Sequence, residues 1–231
     1  MSNENVVKQT IGLAGRYMIA AVDAETGARR VLADWFDNLI TDEGLNRVGS
    51  GAIANMCVVG SGSATPSLSD TGLASPVAST TTIQGEVQSG QVATSPYYIK
   101  NVRTFRFAQG VAAGNLAEVG VGRNGSLGNG WIFSRALIKD SNGDPTTITV
   151  TATEFLDVSY ELRVYPPLVD TSFNVTIAGV THARVGRACN FSSGNQPWVP
   201  TIFMDYGVGG FSVPVIFVYD GAIGSIVGTP S

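Results

Sequence analysis

Charged side chains are scarce in this chain, at 14% of 231 residues against about 25% in an ordinary soluble domain. Cations are the scarcer sign, 14 Lys and Arg against 18 Asp and Glu for a formal charge of −4. The clustered basic residues that hold a phosphate backbone are missing, so nucleic acid is not an expected partner. Histidine occurs once, at His182, and a zinc site of the usual His/Cys kind or a Ser-His-Asp triad is hard to assemble from one imidazole. Cysteine occurs twice, at Cys57 and Cys189. Each sits beside apolar or small residues, which fits buried free thiols made in a reducing cytosol better than a disulfide framework. The longest apolar stretch, Thr201 to Val227, is cut by Asp205, Pro214, Asp220 and several glycines, short of the ~20 uninterrupted residues that cross a bilayer. Met1 to Lys8 lack the basic start and apolar region of a secretory signal, so neither export nor membrane insertion is expected.

What the chain has is glycine, 28 residues, abundant Ser and Thr, and a succession of β-favouring runs. The length suits one large β domain or two small ones. Arg16 to Val22, the turn-like Asp23-Ala24-Glu25-Thr26-Gly27 and the return run Arg29 to Phe36 read as a hairpin. Asn38 to Gly49 carries the one helix signal of the first half: Thr41 as N-cap, Asp42 and Glu43 at the positive end of the dipole, Gly49 as stop. From Gly60 to Gly90, Gly, Ser, Thr, Ala and Pro dominate, predicting a long loop or weakly paired strands. Strands are expected at Tyr97–Phe107, Gly130–Ile138, Thr146–Ala152 and Phe155–Tyr165. In the last, Val158, Tyr160, Leu162 and Val164 alternate with Asp157, Ser159, Glu161 and Arg163, the pattern of one buried and one wet face. Pro166-Pro167 breaks the pattern, and further strands are expected at Phe173–Ile177, Val199–Met204 and Phe211–Tyr219. With no βαβ alternation, the fold class is mainly β, an antiparallel β-sandwich or jelly-roll-like fold with one short helix near residues 41–48. The expected division is a sandwich domain over 1–167 and a β-rich segment over 168–231.

Several motifs imitate chemistry. Gly120-Val121-Gly122-Arg123-Asn124-Gly125 spells the dinucleotide fingerprint, but that motif needs a following helix, and Trp131-Ile132-Phe133 reads as a strand. A plain glycine loop is the expectation. Asp140-x-Asn142-x-Asp144 begins like a calcium loop, yet Pro145 stands where Gly is needed and Thr151 where a bidentate Glu is needed, leaving a hairpin turn. Glycoside hydrolysis needs only two carboxylates flanking the bond, and Asp34, Asp37, Asp42 and Glu43 form one group, Glu154 and Asp157 another. Solvated turn, cap and strand-end positions account for both. Trp35, Trp131 and Trp198 supply either a sugar-stacking platform or buried aromatics. No catalytic residue, metal or cofactor is expected.

Two stretches resemble tailed-bacteriophage tail, baseplate and fibre-associated proteins. The first is Asn38-Leu39-Ile40-Thr41-Asp42-Glu43-Gly44-Leu45 followed by Val59-Gly60-Ser61-Gly62 and Asp70-Thr71-Gly72-Leu73. The second is Phe105-Arg106-Phe107, Gly114 to Gly122 with Glu118 at its centre, Phe133-Ser134-Arg135-Ala136-Leu137-Ile138, and Leu156 to Val164. Together they span about the first two thirds of the chain. The resemblance implies a structural subunit of a virion, in the tail or baseplate, fibre-bearing or host-contacting, made in the host cytoplasm. Its implied partners are other virion proteins and a host-surface glycan. A carbohydrate-binding or carbohydrate-active module and a head decoration protein are the alternatives.

The segment Phe211 to Tyr219 carries an expectation of its own. Phe211, Val213, Val215, Phe217 and Tyr219 form one face and Ile216 and Val218 the other, so both faces call for burial. Pro214 suits an edge strand, and an open apolar edge invites pairing. A neighbouring subunit covering these seven residues is expected, giving a homo-oligomer, a trimer by analogy with phage fibres.

Overall fold

The computed structural model describes residues 10–48, 55–85, 88–92, 95–96, 98–123, 131–165 and 170–186. The expected strands Val199–Met204 and Phe211–Tyr219 lie outside the described residues, and with them the seven interface residues Phe211, Val213, Val215, Ile216, Phe217, Val218 and Tyr219. So do Cys189, Trp198 and Pro166-Pro167.

Two five-stranded antiparallel sheets make up the body. The first contains β1 (Gly12–Asp23), β2 (Arg29–Asp37), β6 (Gln88–Val92), β7 (Tyr98–Phe107) and β12 (Glu154–Tyr165), in the order β2-β1-β12-β7-β6. The second contains β3 (Leu39–Ile40), β4 (Met56–Gly60), β5 (Pro76–Thr80), β9 (Glu118–Arg123) and β10 (Trp131–Leu137), in the order β3-β10-β9-β4-β5. Two small ladders complete the strands: β8 (Gly114–Leu116) with β11 (Ile148–Val150), and the hairpin β13 (Thr171–Ile177) with β14 (Val180–Gly186). The one helix among the described residues, α1 (Asp42–Val48), begins where the sequence places it, with the Thr41 hydroxyl accepting from the Gly44 amide at 3.0 Å.

The hairpin β1–β2 is set by its turn. Asp23 Oδ1 accepts from the Thr26 amide and hydroxyl at 2.8 and 2.7 Å, and Gly27 takes a left-handed φ of 71°. The chain then crosses from the first sheet to the second through Asn38 alone, between Asp37 at the end of β2 and Leu39 at the start of β3. A corner strand shared by two sheets fixes how they stack.

Period-two patterning buries one face of each sheet against the other. Tyr17 and Ile19 of β1, Phe105 and Phe107 of β7 and Leu156, Val158, Tyr160 and Leu162 of β12 meet Cys57 and Val59 of β4, Val119 and Val121 of β9 and Phe133 of β10 in one core. The Tyr17 hydroxyl lies 2.7 Å from Ser134 Oγ across the interface, and the Tyr160 ring meets Phe133 edge-on with centroids 6.4 Å apart. The antiparallel sandwich read from the sequence is thus the observed class. Its details differ in two places. Gly120, Val121, Gly122 and Arg123 belong to β9 and are no loop: Gly122 lies against the Trp131 carbonyl, and a Cβ on Gly120 would stand 2.9 Å from the Ser134 carbonyl oxygen. Glycine here admits a close strand neighbour, which composition cannot distinguish from a turn. The second difference is β12, whose polar face is not wet: Asp157, Ser159 and Glu161 are all buried, for reasons given below.

Cys57 is a free thiol with no exposed surface, and burial pushes its pKa well above the ordinary thiol value. In a Cys189→Ala variant, Cys57 is expected to resist a thiol-disulfide reagent in buffer and to react fully in urea, because only the thiolate attacks. Labelling of the native protein at the rate of a small thiol would show that β4 does not sit in the core.

Candidate functional site

Four of the six carboxylates grouped in the sequence are tied to a neighbouring group. Asp34 accepts from the Trp35 amide, and Glu43 pairs with Arg47 one helical turn on. Asp42 stands at the start of α1, and Asp37 on β2 beside an open cleft of about 890 Å³ that also takes in Ile11, Leu39 and Arg163. Glu154 and Asp157, expected to be solvated strand-end residues, are buried instead. Arg30 reaches Glu154 with two bonds of 3.0 Å, Thr151 donates its amide to it, and Arg106 forks onto Asp157 with two bonds of 2.7 Å. The long guanidinium side chains lie over the acids and remove them from water.

The mimicked motifs resolve likewise. Asp140 Oδ1 accepts from the Asn142 and Asp144 amides, closing a turn with Gly143 at φ 87°. Among the described residues no group of three metal-ligating side chains forms. His182 is half-buried on β14 opposite Val175. Trp35 and Trp131 belong to different sheets, with Arg16 over the first at 4.5 Å and Arg47 over the second at 5.5 Å. They make no common platform.

Sequence reasoning did not single out Glu118 and Arg135 as partners, yet they form the most enclosed charged pair among the described residues, with 0% and 3% of their side chains exposed. Arg135 Nη2 donates to Glu118 Oε2 at 2.9 Å, its Nη1 reaches Asp70 at 2.7 Å, and Nη2 also bonds the Ala64 carbonyl at 2.9 Å. Glu118 further accepts from the amides of Gly62, Ala74 and Ser75 at 3.1, 3.0 and 2.7 Å. The chain from 61 to 75, which has no regular secondary structure, is held to β9 and β10 by these bonds. Gly62 lies against the Glu118 carboxylate and the Ala74 side chain, so its lack of Cβ is a requirement of the joint. A second joint lies close by: the Thr41 hydroxyl donates to the Ile132 carbonyl at 2.7 Å, and Gly44 lies against the Phe133 carbonyl. The signal available in the sequence was a charge, Glu118, set in the apolar-and-glycine run 116–122, and another, Arg135, inside an apolar strand.

The outer face of the first sheet carries the other concentration of charge. Glu161, buried at the centre of β12, receives Arg16 Nε from β1 at 2.8 Å, Arg163 Nε at 2.7 Å and Lys100 Nζ from β7 at 3.5 Å. Next along, Ser159 and Thr104 share a hydroxyl bond of 2.7 Å, followed by the Arg106–Asp157 fork. Burial raises the Glu161 pKa, but the hydrogen bonds and charges of Arg16 and Arg163 outweigh it and leave it below the ordinary value. Arg30 first, and the Thr151 amide second, hold Glu154 low as well.

No protein family, curated protein or solved structure matches this chain.

Two outcomes follow from these geometries. Glu118→Gln leaves Arg135 buried with half its counter-charge removed and is expected to cost about 3–5 kcal/mol, the range for breaking one partner of a buried pair. Urea unfolding gives the cost, and hydrogen exchange at Gly62, Ala74 and Ser75 is expected to accelerate. Exchange unchanged from wild type would mean the loop is held by something else. Glu161 and Glu154 have native pKa values below the unfolded ones, so their contribution to stability is complete above the ordinary Glu range near pH ~4.3 and is lost as pH falls through the lowered native values. The urea midpoint is therefore expected to drop below about pH 4, and Glu161→Gln to flatten that drop; an identical acid profile in the variant would remove Glu161 from the account.

Proposed function

We propose that this chain is a structural subunit of a tailed-bacteriophage virion, in the tail or baseplate. The observation carrying this reading is that the residues by which the sequence resembles such proteins meet in space as joints of the fold. Gly62 and Asp70 from the first stretch converge with Glu118 and Arg135 from the second, and Thr41 and Gly44 dock onto the backbone of Phe133. Residues shared for an architectural reason are what a family of particle components has in common, since a particle protein is selected for shape and association.

The carboxylates capable of acid–base work point the same way. Glu154 and Asp157 each spend both oxygens on a guanidinium group, Arg30 and Arg106 in turn, which leaves neither carboxylate free to engage a substrate, and Arg30 holds Glu154 below the ordinary carboxylate range. The partners proposed are other virion proteins and further copies of this chain, with a trimer by analogy with phage fibres and Phe211 to Tyr219 as the covered edge. The charge-poor sequence beyond Leu168 suits that assignment, because interface cores are depleted in charge.

The test is the composition and image of the particle. Mass spectrometry of purified virions is expected to find the protein, and cryo-electron microscopy to place it at the tail or baseplate rather than the head. A chain present in the lysate and missing from intact particles would overturn the reading. In solution, Ile216→Asp is expected to weaken self-association by light scattering at micromolar concentration while leaving the melting of the sandwich within a few degrees of wild type. A wild type that remains monomeric would remove self-assembly through that edge.

A further inference from the structure

We infer that the outer face of the first sheet is a binding site for an acidic saccharide, a sugar chain carrying a carboxylate, clamped by Arg16, Lys100 and Arg163. The inference goes beyond a place in a particle and does not depend on it. The first ground is an imbalance of charge on a face of known geometry. Strand register puts Arg16, Glu161 and Arg163 on one side of the sheet, together with Lys100, Asp157 and Arg106. Three cations share the single Glu161 carboxylate, and Arg106 and Asp157 cancel each other. Asp37, directly opposite Arg16 on β2, offsets one further cation, so the face keeps one positive charge in excess on a chain whose formal charge is −4.

The second ground is that the clamp retains donors. Arg16 and Arg163 both bond Glu161 through Nε, on the same oxygen, Oε1. The Nη groups of Arg16 make no hydrogen bond among the described residues, and Lys100 stands 3.5 Å away in a loose contact. The three side chains are 29%, 22% and 37% exposed while Glu161 beneath them is 2% exposed. A buried anion with cations spread over it is an arrangement that positions guanidinium forks for a second anion above, and the fork geometry suits a planar carboxylate.

The third ground selects the ligand class. Arg16 lies over the Trp35 ring at 4.5 Å, and Arg163 over Tyr98 at 4.8 Å, with Tyr165 beside Tyr98 at 5.4 Å between centroids. Stacking holds each guanidinium in one plane, and the half-buried aromatics flank the clamp on β2 and on β7 and β12. Three strand spacings separate Trp35 on β2 from Tyr98 on β7, a strip about 14 Å across, which is the scale of an oligosaccharide rather than of a lone ion. A nucleic acid is disfavoured because Glu161 and Asp157 interrupt the positive strip where successive phosphates would fall. An acidic peptide would engage the cations and leave the aromatic flanks unused, and a neutral sugar would do the reverse.

The test is calorimetric titration of the purified full chain with matched probes: 3′-sialyllactose against lactose, and trigalacturonate against its reduced, neutral galactose trimer. The acidic member of each pair is expected to bind at least about tenfold more tightly, the factor that one charge-assisted hydrogen bond supplies, and to weaken in 0.5 M salt. Arg16→Gln is expected to lose about tenfold in affinity with Glu161 still held by Arg163 and Lys100. Should that variant fail to fold, Lys100→Gln, which removes the longest and most exposed contact, is expected to melt like wild type and still weaken the acidic probe. Acidic and neutral probes binding alike, neither acidic probe binding in the millimolar range, or a folded Lys100→Gln variant with unchanged affinity would each overturn the proposal. A Glu-rich hexapeptide binding as tightly as the acidic sugars would overturn the saccharide assignment.

Discussion

The buried contact between Glu118 and Arg135 is what allows a chain with so much Gly, Ser and Thr to close its second sheet. A 15-residue connection without regular structure runs from the end of β4 to the start of β5, and its backbone amides need partners wherever water is excluded. Glu118 supplies acceptors for three of them and Arg135 a donor for one carbonyl. An ion pair of this kind adds little net stability, since desolvation offsets most of the attraction. Its value lies in direction: apolar side chains in the same place would pack, but would leave the Gly62, Ala74 and Ser75 amides unmatched. The connection therefore has one low-energy course, and β5 enters the sheet beside β4 in a fixed register.

The same economy runs through the first sheet. A sequence with few charges spends several of them on buried or half-buried pairs: Arg16, Lys100 and Arg163 on Glu161, Arg106 on Asp157, Arg30 on Glu154. All three acids lie on β12, and Arg16, Arg30, Lys100 and Arg106 reach them from other strands of the sheet, Arg163 from β12 itself. Cross-strand pairs of this type lock neighbours together, and β12, the middle strand of the sheet, is the one they lock. The exposed surface left over is rich in hydroxyl groups and poor in charge, in keeping with the composition.

Much of this architecture was legible from residue patterns. The hairpin β1–β2 announced itself through Asp23, Thr26 and Gly27, the helix through Thr41, and β12 through its alternation, because each of these signals is local and depends on backbone chemistry alone. β9 was hidden: Gly120 and Gly122 look like turn residues, and only the closeness of Trp131 and Ser134 on the next strand explains them. The dryness of the polar face of β12 was hidden for a related reason. Alternation tells which side of a strand is polar, and says nothing about whether arginines from two other strands fold over it. The joint of Glu118, Arg135 and Asp70 draws on positions separated by 17 and 65 residues, so no window of sequence contains it. Its members stood in the quoted stretches of resemblance without any indication that they touch.

The two ionic networks differ in a way that divides labour across the sandwich. On the second sheet Arg135 is enclosed between Glu118 and Asp70, and both its Nη groups are spent within the protein, its buried Nε alone lacking a hydrogen-bond partner. Such a network shapes the fold and has little left to offer a ligand. On the first sheet the anion lies underneath and the cations above it, in positive excess and with guanidinium donors unspent. These cations stand on β1, β7 and β12; β1 and β12 pair along all twelve residues of each strand, and their inner faces are fixed to the second sheet through Tyr17, Ser134 and Phe133. Side chains carried by rigid paired strands and stacked on aromatic rings lose little further freedom when a partner arrives. The closed network thus fixes the scaffold on which the open one is held ready, and only the open one has the geometry to recognise another molecule.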